Sequence, residues 1–311
     1  MVCTSLAKAL SFHTVTVEDK ARYDALSAVE PSQSADRSFA NLYFWNELYH
    51  QQIAFFEDRA ILRFGRDGQW QYLCPFGGGA LNRALGVLLE TEPTLTLSAV
   101  TEQELSAVLQ DFPDTFEVFE NRDIADYLYS AESLATLSGK KLHAKRNHVN
   151  AFSAANVWSV KPLEPTDFDS CRHIAASWAA QRGGDGPSRE RAAMERAFSA
   201  YAALDLHGAL LIANGMPVAF TVGSFLTPDT LCVHFEKALP DVQGAFPTIN
   251  REFVRMMLER FPALTTVNRE DDMGLENLRT AKLSYRPIAL LRKYTLTRKN
   301  ASCREGTFVL Q

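Results

Sequence analysis

Five consecutive residues, Asn268, Arg269, Glu270, Asp271 and Asp272, place three carboxylates beside a guanidinium and a side-chain amide. They follow a short β-like run (265–268) and precede a helical pattern (275–283), the edge at which open α/β sheets bind ligands. Carboxylates at a helix N-terminus are favoured by about 0.3–1 kcal/mol each, which accounts for one or two of them. Three adjacent acids also repel one another, so a cationic partner is expected: Arg269, Arg279 or the amine of a substrate. Asn268, Arg269, Glu270, Asp271 and Arg279 are therefore the candidate substrate-binding residues. No histidine or spaced carboxylate in the stretch completes a ligand set, so no metal is expected.

A second feature is charge of one sign. Residues 133–163 contain no acid, whereas Lys140, Lys141, Lys145, Arg146 and Lys161 are basic. The pattern predicts a helix from 140 to about 154 with Lys141, Lys145 and His148 on one face and Leu142, Val149 and Phe152 as the apolar stripe. Such a face is either a solvated connector or a surface for phosphates. Two glycine-rich loops accompany it. Gly77, Gly78 and Gly79 stand at a strand-to-helix junction, where bare N–H groups can meet an anion, although three glycines are also simply a loop. The loop over 181–187 lies between helices and reads as a mobile lid.

The elements that must position these residues fit an ordinary globular chain. With 311 residues, one large or two medium domains are expected, and a balance of 32 basic against 37 acidic residues argues against a protein coated for duplex binding. The five cysteines (Cys3, Cys74, Cys171, Cys232, Cys303) are scattered and odd in number. They indicate neither a disulfide framework nor a zinc site, and they favour a reducing, cytoplasmic setting. No signal peptide is read in the first twelve residues, and the uncharged stretch 208–228 is broken by a turn at Asn214 and Gly215, giving two buried strands and no transmembrane segment.

Read in order, both halves run helix, helix, three hairpin-type strands, helix, strand, helix, strand. The first half includes an aromatic-rich helix over 39–49 and a closing strand over 124–129; the second ends in a strand over 287–296. The reading is an α/β (α+β) chain with mixed sheets and helices on both faces. Its expected parts are an N-terminal domain (1–130), a basic connecting helix (131–156), a C-terminal domain (157–298) and a tail (299–311). This order resembles the GNAT N-acyltransferase fold, twice over.

The residues sharpen that likeness. Lys140 to His148, the run Phe235, Glu236, Lys237 and Ala238, Gly244 with Asn250, Asn268 to Gly274, and Leu278 to Pro287 resemble the DUF2156 family, which is related to the C-terminal domain of lysylphosphatidylglycerol synthases. The likeness runs from about residue 20 to 297. It implies tandem GNAT-like domains and kinship with aminoacyl-tRNA-dependent transferases, including the Fem-type peptidoglycan enzymes. The GNAT likeness also implies catalytic roles, Glu236 as general base, unless it is held in a salt bridge to Lys237 or an arginine, and Tyr285 as general acid; Lys282, one helical turn before Tyr285, is placed to stabilise an oxyanion or hold a phosphate. Of the GNAT pyrophosphate loop only Gln243, Gly244 and Ala245 match, while Asp241 would repel a phosphate and Pro247 lies early in the helix, so acetyl-CoA is disfavoured as donor. The expected function is acyl transfer from aminoacyl-tRNA to an amine or hydroxyl on a small molecule, peptide or lipid headgroup. Asp271 and its neighbours would hold an amine, and Lys141, Lys145, Arg146, His148 and Gly244 would meet phosphates of the tRNA acceptor end. The alternatives are CoA-dependent N-acetylation and a non-catalytic ligand-binding module that kept the fold.

Overall fold

Turn residues set the hairpins from which the fold grows. In the first half β1 (His13–Thr14), α1 (Lys20–Val29), α2 (Phe39–Phe44) and α3 (Asn46–Tyr49) precede β2 (Gln52–Phe56), β3 (Arg59–Arg66) and β4 (Gln69–Tyr72). Glu57, Asp67 and Gly68 take positive φ (51°, 54° and 80°) at the two hairpin turns, the conformation that tight hairpins require. Next come β5 (Phe76–Gly77), α4 (Leu81–Thr91), β6 (Thr96–Thr101), α5 (Glu102–Asp111) and β7 (Phe116–Glu120). The computed structural model describes residues 10–181 and 186–299, so most of the expected lid lies outside the described residues. The helix expected over 39–49 is broken at Trp45, whose ψ of 2° ends α2 and starts α3.

The second half contains β8 (Asp126–Ser130), α6 (Ala131–Thr136), α7 (His143–Ala155), β9 (Trp158–Pro162), α8 (Phe168–Ala180), α9 (Gly186–Ser199), β10 (His207–Ala213), β11 (Met216–Thr227) and β12 (Thr230–Ala238). It closes with α10 (Ala245–Arg260), β13 (Thr266–Asn268), α11 (Glu276–Leu283), β14 (Ala289–Leu291) and β15 (Lys293–Arg298). The uncharged stretch is indeed a hairpin, β10 to β11, turning through Asn214 and Gly215 at φ 52° and 82°. Among the described residues no helix is long and apolar enough to cross a membrane.

Two mixed sheets result, ordered β1-β2-β3-β4-β6-β15-β7 and β14-β8-β13-β12-β11-β10-β9. They repeat one plan with a reciprocal exchange: β8 enters the second sheet between β13 and β14, and β15 enters the first between β6 and β7. Two sequence expectations are corrected here. The strand expected to close the first half belongs to the second sheet, so the sheets do not divide at residue 130. The single strand expected over 287–296 is two, parted at Arg292, whose guanidinium is drawn to Glu120 and Glu102.

The crossing is pinned by charge. Lys293, 1% exposed, reaches Asp126 at 2.7 Å and Asp36 at 2.5 Å. Asp126 also accepts from the Ala35 N–H (2.7 Å) and the Asn268 amide (2.9 Å). Apolar packing crosses the same seam, because Phe39 and Phe44 of α2 share a core with Phe198, Phe220 and Phe235. The Phe44 and Phe235 rings lie 5.1 Å apart.

Candidate active site between two splayed strands

β12 and β13 pair in parallel at three positions only, Thr230 with Thr266, Leu231 with Val267 and Cys232 with Asn268. Beyond Cys232 the two backbones separate. The β11–β12 ladder matches Phe235 with Val222 and Val233 with Gly223, so His234 is the extra residue of a β-bulge. The bulge turns His234 toward Phe44 of α2, at 5.3 Å between rings, while Glu236 meets Asn250 of α10. Across the gap, Arg269 and Glu270 also point to opposite faces. Side chains thus bridge where the main chains do not.

On the α10 face the Glu236 carboxylate accepts from Arg269 at 2.7 Å and from Asn250 at 3.0 Å. Both partners of the ion pair are buried, with side chains 5% and 9% exposed. Arg269 lies over the rings of Tyr285 (4.8 Å) and Tyr129 (5.8 Å), and the Lys145 ammonium sits 4.2 Å from the Tyr285 ring centre, aromatic contacts that favour cations. Burial works against the charge on Arg269, but Glu236, Tyr129 and Tyr285 together outweigh it. Burial, with the neighbouring Arg269 charge, lowers the Lys145 pKa, and burial raises that of the Tyr285 hydroxyl.

On the α2 face Glu270 Oε1 stands 2.9 Å from His234 Nδ1 and accepts from the Asn41 amide at 2.9 Å. His234 Nε2 is 2.8 Å from the Ser224 hydroxyl. Burial opposes the charge on Glu270, yet His234 and Asn41 hold its pKa below the usual carboxylate range. Glu270 keeps 27% of its side chain exposed, so this face is open.

The loop that carries these groups is held by its own polar atoms. Glu270 has φ 58° and its N–H donates to Asn268 Oδ1 at 2.6 Å, an Asx-type turn. Lys282 clamps the Arg269 carbonyl (2.5 Å) and the Asp271 carbonyl. Asp272, fully buried, accepts from Arg279, Tyr127, Arg122 and the Gly274 N–H. Burial opposes its ionisation, but these donors hold its pKa well below the ordinary carboxylate value. Asp271 differs. Among the described residues no salt bridge reaches it, its carboxylate's one hydrogen bond is from the Met273 N–H at 3.0 Å, and burial, with Asp126, Glu270 and Asp36 nearby, pushes its pKa up to about 7 despite the opposing charge of Lys293.

The family model described as "Phosphatidylglycerol lysyltransferase, C-terminal" matches residues 28–297. The chain belongs to this family. Similar solved structures include a conserved protein of unknown function from Bacteroides thetaiotaomicron VPI-5482, 34% identical, covering 93% of this chain and 100% of that chain at a TM-score of 0.86. L-PGS from Bacillus licheniformis is 13% identical and covers 91% of this chain and 92% of that chain, with a TM-score of 0.64. A tandem GNAT protein from the clavulanic acid biosynthesis pathway is 10% identical, covering 93% of this chain and 98% of that chain at 0.51. The last two show a shared fold. Among curated proteins none matches the chain.

In this family member the splay gathers Glu236, Arg269, Glu270, Asp271, Lys282 and Tyr285, with Lys145 reaching in from α7. Other expected site residues have structural tasks. Asn268 and Arg279 build the loop, the latter bridging Asp272 and Asp123. Arg146, expected at phosphates, donates to the carbonyls of Leu137 (2.6 Å) and Gly139 (3.3 Å). Lys141 and His148 remain exposed on α7 and the turn before it. At Gly244 a Cβ would stand 2.5 Å from the His148 carbonyl and 2.8 Å from Phe152 Cβ, so glycine there admits α7 against α10. The Gly77 and Gly78 N–H groups are spent on Glu30 and on the Asp58 carbonyl. Sequence reading missed Cys232, His234, Ser224 and Asn41, which lie 36 to 229 residues from Glu270 and carry no local motif.

Proposed function

We propose that the protein is an acyltransferase of tandem GNAT-like build that takes an aminoacyl group from a charged tRNA and passes it to an amine or hydroxyl acceptor. The tandem reading is supported by the repeated strand order of the two sheets and by the fold shared with the tandem GNAT protein. The aminoacyl reading rests chiefly on Asp271, a half-buried carboxylate that no salt bridge reaches among the described residues, beside Glu270 in the splay. A protonated α-amine completes it, and an acyl group lacking that amine leaves it unpaired.

Transfer forms a bond from the acceptor nitrogen or oxygen to the acyl carbonyl carbon, breaks that carbon's bond to the ribose oxygen, and returns the acceptor's proton to that oxygen. Arg269 and Lys282 supply positive charge for the developing oxyanion, and the Tyr285 hydroxyl is the proton donor on the α10 face. Glu236 is better placed to hold Arg269 than to act as the base assigned to it from the family pattern. Acetyl-CoA fits less well, because only Gln243, Gly244 and Ala245 match the GNAT pyrophosphate loop, and Asp241 would repel a phosphate.

The test is binding of charged and uncharged tRNA to the full chain at low salt, followed by acyl release to added amines. Charged tRNA should bind more tightly, Asp271→Asn should erase that preference, and joint reversal of Lys141 and His148 to Glu should weaken both forms equally. Equal affinity for charged and uncharged tRNA, or none for either, overturns the reading.

A further inference from the structure

We propose that Cys232, His234 and Glu270 form a binding site for one borderline-soft divalent transition-metal ion, zinc foremost. The inference does not rest on the acyl-transfer reading. Cys232 Sγ, a ring nitrogen of His234 and a carboxylate oxygen of Glu270 all lie within 4.8 Å of one another. The Nδ1 to Oε1 separation is 2.9 Å and the Sγ to Oε1 separation is 3.8 Å. A tetrahedral zinc with bonds of about 2.0–2.3 Å sets such neighbours roughly 3.3–3.7 Å apart, so the Nδ1–Oε1 and Sγ–Oε1 separations admit an ion with shifts of a few tenths of an ångström. Cys232 and the bulged His234 lie two residues apart on β12 and both reach Glu270.

The donor set selects the ion. Thiolate, imidazole and carboxylate together suit zinc and its neighbours, whereas calcium and magnesium take oxygen ligands. Three protein ligands with one partly exposed side chain match the pattern of sites that keep a position open. Outer contacts are also in place. Ser224 Oγ stands 2.8 Å from His234 Nε2, and Asn41 donates to Glu270 Oε1. Asn41 Oδ1 is buried with no hydrogen-bond partner, an acceptor of the kind a metal-bound water needs.

The proton balance closes. On binding, the Cys232 thiol loses its proton to solvent and the imidazole hydrogen moves from Nδ1 to Nε2, where the Ser224 oxygen accepts it. Two negative ligands then neutralise a divalent ion, the arrangement favoured in a site of low polarity.

The same groups also satisfy one another by hydrogen bonds, so the experiment separates the two states. The full chain is stripped with a chelator, incubated with zinc chloride, dialysed and assayed for metal by elemental analysis, and cobalt(II) is titrated in parallel. The wild type should retain about one ion per chain and give a thiolate-to-cobalt absorption band. Cys232→Ser and Glu270→Gln should each abolish retention, and Ser224→Ala should weaken it about tenfold or more. Cys171→Ser, outside the Cys232, His234 and Glu270 group, should bind as the wild type. Circular dichroism confirms that each variant is folded, and Glu270→Gln, on the exposed side, keeps the test decisive if Cys232→Ser does not fold. No retained ion in the wild type, or equal retention by Cys232→Ser and Glu270→Gln, overturns the proposal.

Discussion

The two faces of the splay between β12 and β13 solve one problem in opposite ways. Both must span a gap that backbone hydrogen bonds leave open. On the α10 face Glu236 and Arg269 form a buried ion pair capped by Asn250 and stacked on Tyr129 and Tyr285. On the α2 face Glu270 meets His234 and Asn41 but stays partly in solvent, and no salt bridge reaches Asp271 beside it among the described residues. A matched buried pair fixes the distance between strands, and an incompletely matched acidic edge leaves affinity for something outside the chain. The comparison teaches that one opening is divided into a hinge pin and a receptor.

The largest effect should come from breaking the pin. Arg269→Met leaves Glu236 buried and uncompensated, and the loss should be about 3–5 kcal/mol, read as a lowered midpoint in urea unfolding. Double replacement of Glu236 by Gln and Arg269 by Met should recover much of it, since no unpaired charge then remains. If Arg269→Met is as stable as the wild type, the α10 face is not the rigid one. Next in size is Asp272→Asn, in the loop that joins the two faces, with an expected loss of about 2–3 kcal/mol from weakened charge-assisted bonds to Arg279 and Arg122. Because the folded pKa of Asp272 is depressed, its contribution is present above the unfolded value near 4 and disappears as pH falls below it. Acid unfolding should therefore begin at higher pH in the wild type than its other carboxylates predict, and Asp272→Asn should flatten that limb.

Glu270→Gln tests the receptor side. Glutamine keeps an acceptor for His234 and Asn41, so stability should change by no more than about 1 kcal/mol, while binding of cationic amines measured by calorimetry should fall sharply. A stability loss equal to that of Arg269→Met would make the two faces equivalent and dissolve the comparison.

How much of this was legible in sequence follows the same division. Short-range features were: the hairpin at Asn214 and Gly215, the buried stripe Leu142, Val149 and Phe152, and the acidic loop after β13; the clamp of Lys282 on that loop was not, since its length and charge suited an oxyanion or phosphate equally well. The mixed sheets also followed from the order of elements. The exchange of β8 and β15 did not, because a strand's own residues specify two faces and not a partner sheet; the buried meeting of Asp126 with Lys293, far apart in sequence, marks it. The partners of the three acids were likewise divided by distance along the chain. Arg279 for Asp272 is seven residues away on the next helix, whereas His234 for Glu270 depends on a bulge that no local pattern marks.

The smallest effect expected is the pH signature of Asp271. Its folded pKa, about 7, lies above the value near 4 that an unfolded aspartate has. The folded state therefore binds the extra proton between those limits, and the stability this provides is complete below about pH 4 and is lost as pH rises through 7. Asn cannot titrate, so Asp271→Asn should resemble the wild type at the acid end and exceed it at pH 8 by about 1 kcal/mol, one pKa unit being worth about 1.4 kcal/mol before allowance for solvent at a half-buried group. Thermal unfolding of both proteins from pH 5 to 8 reads the difference directly. An added amine ligand should narrow it, because a cation beside Asp271 favours the carboxylate and lowers its pKa. Parallel curves across the whole range would mean that Asp271 titrates like a surface acid, and the receptor face would then lose the property that distinguishes it from the pin.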